Sequence, residues 1–196
     1  METRIVDLIP LRYRVLALWC ALAVAAIAGL EVLYAWMPSM SAGTTDGQVA
    51  AFDLDDEGSL AVWFSSATLS LACLVALVVY GIRRRRPDDY QGKYRIWLWA
   101  AACWLVLSID ETSSLHEGFK ELMVQVTGQR ILGDGSIWWA VPYALVLSLV
   151  GLKLWFEMRP CRGSQVSLVA AGVSYVVAVV TQMGGVLPES GARGVM

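Results

Sequence analysis

The sequence is poor in charge, in histidine and in cysteine motifs, and each shortage excludes a class of protein. Only 16% of the 196 residues are charged and 57% are hydrophobic, whereas soluble domains carry about 25% charged residues. One histidine is too few for a three-histidine zinc site or for bis-histidine haem ligation within one chain. The four cysteines show no CxxC spacing, which excludes a zinc ribbon. With a net charge of −2, the chain also lacks a nucleic-acid-binding footprint.

The sequence does contain apolar runs that are long enough to cross a bilayer. A transmembrane helix needs about 20 predominantly apolar residues, and five stretches qualify. They predict an all-α fold, a polytopic membrane helix bundle that forms a single integral membrane domain over residues 1–196. The five predicted transmembrane helices cover residues 15–37, 60–82, 94–115, 137–156 and 165–183.

The basic residues predict how this bundle is oriented. Lys and Arg accumulate on the cytoplasmic side of membrane proteins. Twelve of the 15 lie before the first span, at residues 83–95 around the junction of the second and third spans, or at residues 153–162 around the junction of the fourth and fifth. The amino terminus is therefore predicted inside and the carboxyl terminus outside, in the inner (plasma) membrane, with the lipid bilayer as partner. The arginine run at residues 83–86 is interpreted as a topology anchor that could also touch anionic headgroups.

Two acidic residues interrupt the apolar spans at the same depth. Glu31 and Asp110 each lie 16 residues past the start of a span, which places both about 24 Å from the cytoplasmic boundary. Ionisable residues inside a span are costly and tend to face the bundle interior or a water-filled cavity. These carboxylates therefore predict a polar pocket that opens to the outer face.

The richest polar segment covers residues 108–117, at the end of the third span. In a continuous helix, Asp110, Ser114 and Glu117 fall on one face. Carboxylates and an imidazole bind divalent metals and carry protons. The prediction for a divalent metal is therefore a site made by Asp110, His116 and Glu117. Three further residues are predicted in the polar pocket, namely Glu31, Glu111 and Ser114.

Three interpretations of this segment stay open. In the first, it binds a metal or shares protons during hydrolysis or redox chemistry. In the second, the helix leaves the membrane at Asp110 and continues as an amphipathic segment, in a non-catalytic accessory or scaffold subunit of a membrane complex. In the third, the chain is a small proton or ion transporter, in which a homo-oligomer would supply the polar path that the inner halves of the spans lack. No GxSxG, HExxH, P-loop or GxGxxG motif is present.

An acidic loop precedes the second span. Asp53, Asp55 and Glu57 match positions 1, 3 and 5 of an EF-hand, but position 12 holds Phe64 instead of a bidentate glutamate. The loop is therefore predicted to be solvated and to lead into a helix that Ser59 caps. It could also fold over the acidic segment that follows the third span.

Two strings carry a resemblance to known proteins. They are Phe52-Asp53-Leu54-Asp55 leading on to Trp63-Phe64-Ser65-Ser66, and Ser108-Ile109-Asp110-Glu111 leading on to Leu115-His116-Glu117. Both resemble segments of uncharacterised bacterial multi-pass inner-membrane proteins, over about a third of the chain. The resemblance implies a topology and places the acidic loop near the end of the third span. It implies no catalytic role.

Overall fold

The computed structural model describes residues 13–40, 49–53, 58–87, 89–131 and 135–186. These ranges hold α-helices and two short 3₁₀ segments but no strand, which confirms the prediction of a helical fold. The 3₁₀ segments are Ala50–Phe52 and Tyr90–Arg95. The helices are α1 (Tyr13–Met40), α2 (Leu60–Arg83), α3 (Ile96–Ser113), α4 (Leu115–Thr127), α5 (Ile137–Glu157) and α6 (Arg162–Val186).

Four helices are long and apolar enough to cross a membrane. The qualifying segments are Ala17–Trp36, Leu60–Arg83, Ile137–Glu157 and Arg162–Thr181. The predicted third span is not among them in the described residues, because α3 has 18 residues and its last turn is polar, with Asp110 and Glu111 in it. The helices thus support a multi-pass helical bundle.

The surfaces of these helices are apolar, as lipid contact requires. Trp19 and Val24 on α1 are 63% and 65% exposed, and Val176 on α6 is 59% exposed. Monomeric soluble proteins rarely expose large contiguous apolar surfaces. Such helix faces match the hydrocarbon interior of a bilayer, where contact with lipid carries no hydrophobic penalty.

Contacts divide the chain into two compact units, Met1–Ser113 and Ser114–Met196. In the first unit, α2 packs along α3 through small side chains, since Cys73, Ala76, Ala100 and Ala101 are all buried. Small residues let two helix backbones approach closely where no hydrophobic force drives them together. The single domain over residues 1–196 stays a prediction.

Three serine hydroxyls join α2 to α3. Ser108 Oγ donates to the Ser66 carbonyl oxygen at 2.9 Å, and Ser66 Oγ donates to the Ser108 carbonyl oxygen at 2.8 Å. Ser70 Oγ lies 2.8 Å from Ser108 Oγ. Each hydroxyl therefore has a partner inside the helix pair, as a buried polar group requires.

The start of α2 follows the sequence prediction. Ser59 is the N-cap, and its Oγ accepts a hydrogen bond from the Val62 backbone N–H at 3.3 Å. This bond satisfies one of the free N–H groups of the first turn. Of the acidic loop before it, Asp53 is half-buried, whereas Asp55 and Glu57 lie outside the described residues.

Candidate functional site

The helix that carries the predicted site breaks at Ser114. α3 ends at Ser113 and α4 begins at Leu115, with Ser114 between them in the left-handed region at φ 50°. The prediction that Asp110 and Glu117 share one continuous helical stripe is therefore wrong, because that stripe requires an unbroken helical period. The segment after the break is a separate helix, α4, with an apolar and a polar face.

Ser114 starts α4 through its backbone. Its carbonyl oxygen accepts hydrogen bonds from the N–H groups of Glu117, at 3.0 Å, and Gly118, at 3.3 Å. A non-glycine residue in the left-handed region costs about 1–2 kcal/mol. Ser114 is half-buried, so its place in the structure is that of a strained junction between two helices.

The other predicted pocket acids lie in the first unit. Asp110 is buried, with 7% of its surface exposed, and Glu111 next to it is half-buried. Glu31 lies on the exposed surface of α1. Glu31 therefore does not face the interior of the described part of this chain, and its depth in the membrane stays a prediction.

His116 and Glu117 come together in the first turn of α4. His116 Nε2 is 3.8 Å from Glu117 Oε1, and the two side chains are 23% and 42% exposed. A carboxylate in the first helical turn also interacts favourably with the helix dipole. Solvent therefore reaches an imidazole that has a carboxylate beside it.

A lysine that sequence reasoning did not assign to the site completes this group. Lys120 Nζ forms an ion pair with Glu117 Oε2 at 2.5 Å, and only 7% of Lys120 is exposed. The signal that could have found it is the spacing, since residues three apart are neighbours on a helix surface. Lys120 is also the sole cation of α4.

The start of α5 forms the other wall of the site. The rings of His116 and Trp139 have centroids 5.1 Å apart, and Tyr143 meets Trp139 edge-on at 5.8 Å. Trp139 is 7% exposed, and its Nε1 has no hydrogen-bond partner in the described part of the chain. We call the group of His116, Glu117, Lys120, Gly135 and Trp139 the α4–α5 corner.

Gly135 allows α4 to approach the start of α5. Its φ of +94° favours glycine, and a Cβ added there would lie 3.2 Å from Val124 Cγ2 and 3.5 Å from Lys120 Cγ. The backbone conformation therefore strains any side chain at this position, and the Val124 methyl would have to shift slightly to admit a Cβ. Sequence reasoning gave this glycine no role, because its requirement arises from a neighbouring helix.

Outside the α4–α5 corner, two contacts join the segment that follows α4 to α4 and to α5. Arg130 Nη2 lies 3.2 Å and 3.0 Å from the two carboxylate oxygens of Glu121, and Trp138 Nε1 donates to the Gln129 carbonyl oxygen at 3.4 Å. The Arg130 and Glu121 side chains are about half exposed. An exposed ion pair of this kind adds little stability, so its effect is to fix the loop over the end of α4.

The described residues do not form a ready-made metal site. Among them, no three His, Cys, Asp or Glu side chains lie close enough together to hold a metal ion. Of the predicted ligands, the structure brings His116 and Glu117 together, and Lys120 already neutralises the Glu117 carboxylate. A positive charge beside a carboxylate opposes the arrival of a cation.

The geometry is suited to moving protons. Imidazole is the side chain whose ordinary protonation equilibrium lies closest to neutral pH. Glu117 places a carboxylate 3.8 Å from the imidazole, and Lys120 pairs with that carboxylate from its other oxygen. The α4–α5 corner thus combines a solvent-accessible proton carrier with a fixed pair of charges.

The fold and this cluster define a helical protein with apolar, membrane-type helices and a half-buried group of ionisable side chains. The chain belongs to the family defined by a domain of unknown function (DUF8692), which matches residues 15–194. No curated protein and no solved structure matches the sequence. Membership in this family agrees with the resemblance to uncharacterised proteins described above, and it assigns no activity to the chain.

Proposed function

We propose that this chain crosses the inner membrane five times, with its amino terminus in the cytoplasm and its carboxyl terminus outside. Four long apolar helices support the proposal. For the fifth crossing, the 18 residues of α3 rise about 27 Å, close to the 30 Å of a hydrocarbon core. The distribution of basic residues supports the orientation.

The proposed function is that of a membrane protein with an outward-facing acid–base site at the α4–α5 corner. His116 accepts and releases the proton, and Glu117 stabilises the charged imidazole. The observation that carries this proposal is the burial of Lys120 against Glu117 next to a solvent-accessible histidine. A polar substrate or a proton acceptor would reach His116 from the outer side.

The energetics of buried ion pairs favour a functional interpretation. Replacing a buried pair by apolar residues of similar size is often neutral or stabilising, because desolvation offsets the attraction between the charges. The Glu117–Lys120 pair is thus not required for a stable α4–α5 contact, which leucine and methionine could make.

The direct test observes His116 itself. Histidine-selective isotope labelling gives one imidazole signal in nuclear magnetic resonance spectra, because the chain contains one histidine. In nanodiscs, this signal should move when the bulk pH is changed, and Glu117→Gln should alter that response. Arg130→Gln, which removes an exposed charge from the outer loop, is the matched control and should leave the pH response of the His116 signal unchanged. A His116 signal whose chemical shift does not change with pH would contradict the proposal.

A divalent metal is the second candidate ligand. The observation in its favour is the 3.8 Å separation of His116 Nε2 and Glu117 Oε1, which are two donors of the right chemistry. Binding would require Glu117 to exchange Lys120 for the metal, with Asp110 as the third proposed ligand. Elemental analysis of the purified protein beside an Asp110→Ala, His116→Ala double variant tests this. Stoichiometric metal in the wild type alone would support it, and no metal after reconstitution would exclude it.

The same labelled histidine separates the two candidates from an accessory subunit. Zinc added to the nanodisc sample should shift the His116 signal only if the metal proposal holds. A proton-exchange site predicts a response to pH without a response to zinc. An accessory or scaffold subunit predicts neither response, and its role would then lie on the exposed apolar faces of α1 and α6, against a second copy or another membrane protein.

A further inference from the structure

The turn between α2 and α3 concentrates positive charge. Residues 83–95 contain six cations and two acids, a net charge of +4 in a chain whose overall charge is −2. All the cations except Arg83, which is half-buried, are exposed. We call these six residues the basic turn, which consists of Arg83, Arg84, Arg85, Arg86, Lys93 and Arg95.

The buried ring of Tyr94 contacts one cation from each end of the basic turn. Arg83 Cζ lies 5.6 Å and Lys93 Nζ 4.7 Å from the centre of the Tyr94 ring, so the two charges are no more than about 10 Å apart. Tyr94 is 2% exposed. Its backbone N–H is hydrogen-bonded to Asp89 Oδ1 at 3.4 Å, which engages one of the two acids of the segment with the backbone.

A bend in the backbone holds the rest of the turn in place. Gln91 and Gly92 both adopt positive φ, at 57° and 68°. A Cβ at Gly92 would lie 2.8 Å from Arg95 Nε, so the Arg95 side chain crosses directly over the glycine. The bend folds the chain back at the end of α2, and a larger residue at Gly92 would displace Arg95.

The turn lies at the boundary of an apolar helix. Arg84 Cζ is 5.9 Å from the Tyr80 ring, in the last turns of α2, and Arg83 Cζ is 5.7 Å from the Trp97 ring. Val75 and Val78, one to two turns earlier, are 54% and 43% exposed. Aromatic residues next to exposed apolar ones are typical of the headgroup level of a membrane.

We propose that the basic turn binds the headgroup of an anionic phospholipid from the surrounding leaflet. A turn with a net charge of +4 at headgroup level attracts anionic headgroups, and its arginine side chains donate charge-assisted hydrogen bonds to a lipid phosphate. A lipid brings the phosphate to this depth while its chains lie on the exposed face of α2. This inference is independent of the acid–base site and goes beyond a topological role for the arginines.

Native mass spectrometry of the full chain tests the proposal. The protein is placed in nanodiscs of phosphatidylcholine with a minor fraction of phosphatidylglycerol, and the lipids that stay bound on release are identified. Each cation near an anionic lipid contributes about a five-fold factor in affinity. Arg84→Gln, Arg85→Gln, Arg86→Gln should therefore lower phosphatidylglycerol retention about 100-fold. The matched triple Lys153→Gln, Arg159→Gln, Arg162→Gln removes equal charge elsewhere and should retain the lipid.

A second variant tests the proposal without altering the arginine run, which helps to set the orientation of the chain in the membrane. Lys93→Gln, Arg95→Gln leaves the arginine run intact and should lower retention about 25-fold. Equal retention in wild type and both basic-turn variants would overturn the proposal, as would an equal loss in the matched triple. Tighter binding of a DNA oligonucleotide than of phosphatidylglycerol at the same salt concentration would also overturn it.

Discussion

Two of the helix contacts in the described part of this protein, α2 with α3 and α4 with α5, use opposite chemistry. The contact of α2 with α3 is made by small side chains and by neutral hydroxyls, with Ser66, Ser70 and Ser108 hydrogen-bonded to one another and to the backbone. The contact of α4 with α5 is made by an ion pair, an imidazole and aromatic rings. Both contacts are specific, but the second is made by ionisable side chains.

The difference separates structural polar groups from candidates for function. A serine hydroxyl can be satisfied inside a helix pair, so burying it costs little once its bonds are made. A buried charge costs several kcal/mol to desolvate even when it is paired. A contact that only needed stability would resemble the one between α2 and α3. The charges of the α4–α5 corner therefore indicate a role beyond packing.

The largest effect is expected from breaking the ion pair on one side. Glu117→Gln removes the carboxylate that pairs with Lys120 and should lower the free energy of unfolding by roughly 2–3 kcal/mol, less than for a fully buried pair because Glu117 is 42% exposed. The double variant Glu117→Leu, Lys120→Met removes both charges and should recover most of that loss. Denaturant titration in detergent measures both, and losses that simply add in the double variant would show that the pair is not coupled.

Gly135→Ala should have the next largest effect. Its positive φ strains any side chain, and its Cβ would press on Val124 and Lys120, so we expect a loss of about 2 kcal/mol. Gly151→Ala, in α5 where nothing lies within 4 Å of the added atom, is the control and should not destabilise. Equal stability of the two variants would mean that α4 does not pack against Gly135.

Ser108→Ala should cost less than either change in the corner. It removes the hydroxyl at the centre of the α2–α3 hydrogen bonds, and interhelical bonds in membranes contribute about 0.6 kcal/mol each, so a loss of about 1 kcal/mol is expected. Ser113→Ala removes a hydroxyl that bonds only to Ile109 of its own helix and should be nearly neutral. A loss above that of Glu117→Gln would reverse the comparison between the two contacts.

The smallest effect concerns Cys161, at the end of α5 far from the corner along that helix. The Ser164 hydroxyl and the Ser164 and Gly163 N–H groups lower the pKa of this exposed thiol, so thiolate forms at a lower pH than usual and alkylation begins there. Ser164→Ala should move the onset of alkylation to higher pH and slow it a few-fold at pH 7. An unchanged pH–rate profile would mean that Ser164 makes no such bond.

Labelling of Cys161 also measures the orientation of the chain in the membrane. A membrane-impermeant maleimide should label Cys161 in inside-out vesicles and leave it unlabelled in intact cells, because the proposed topology puts this end of α5 in the cytoplasm. Gln129→Cys, in the exposed loop that follows α4, should show the reverse pattern when the native cysteines are replaced. Labelling of both positions from the same side would place the corner and Cys161 on one face of the membrane.

Sequence reasoning reached the features that depend on local pattern. Apolar length predicts the helices, and the serine before α2 predicts its cap. The break at Ser114 was missed because serine is neither glycine nor proline, and its left-handed conformation is set by the fold around it. Rise per residue fixes the depth of Glu31 but not the face on which it lies. The contact between His116 and Trp139 joins residues 23 apart, which no local pattern encodes.

The central claim is that His116 exchanges protons with the outer side. Diethyl pyrocarbonate modifies the neutral imidazole, and one histidine gives one modified peptide by mass spectrometry. In right-side-out vesicles with a fixed internal pH, we expect the rate of modification to rise as the external pH is raised. A rate that ignores external pH, or that follows only the internal pH, would contradict the outward-facing acid–base site.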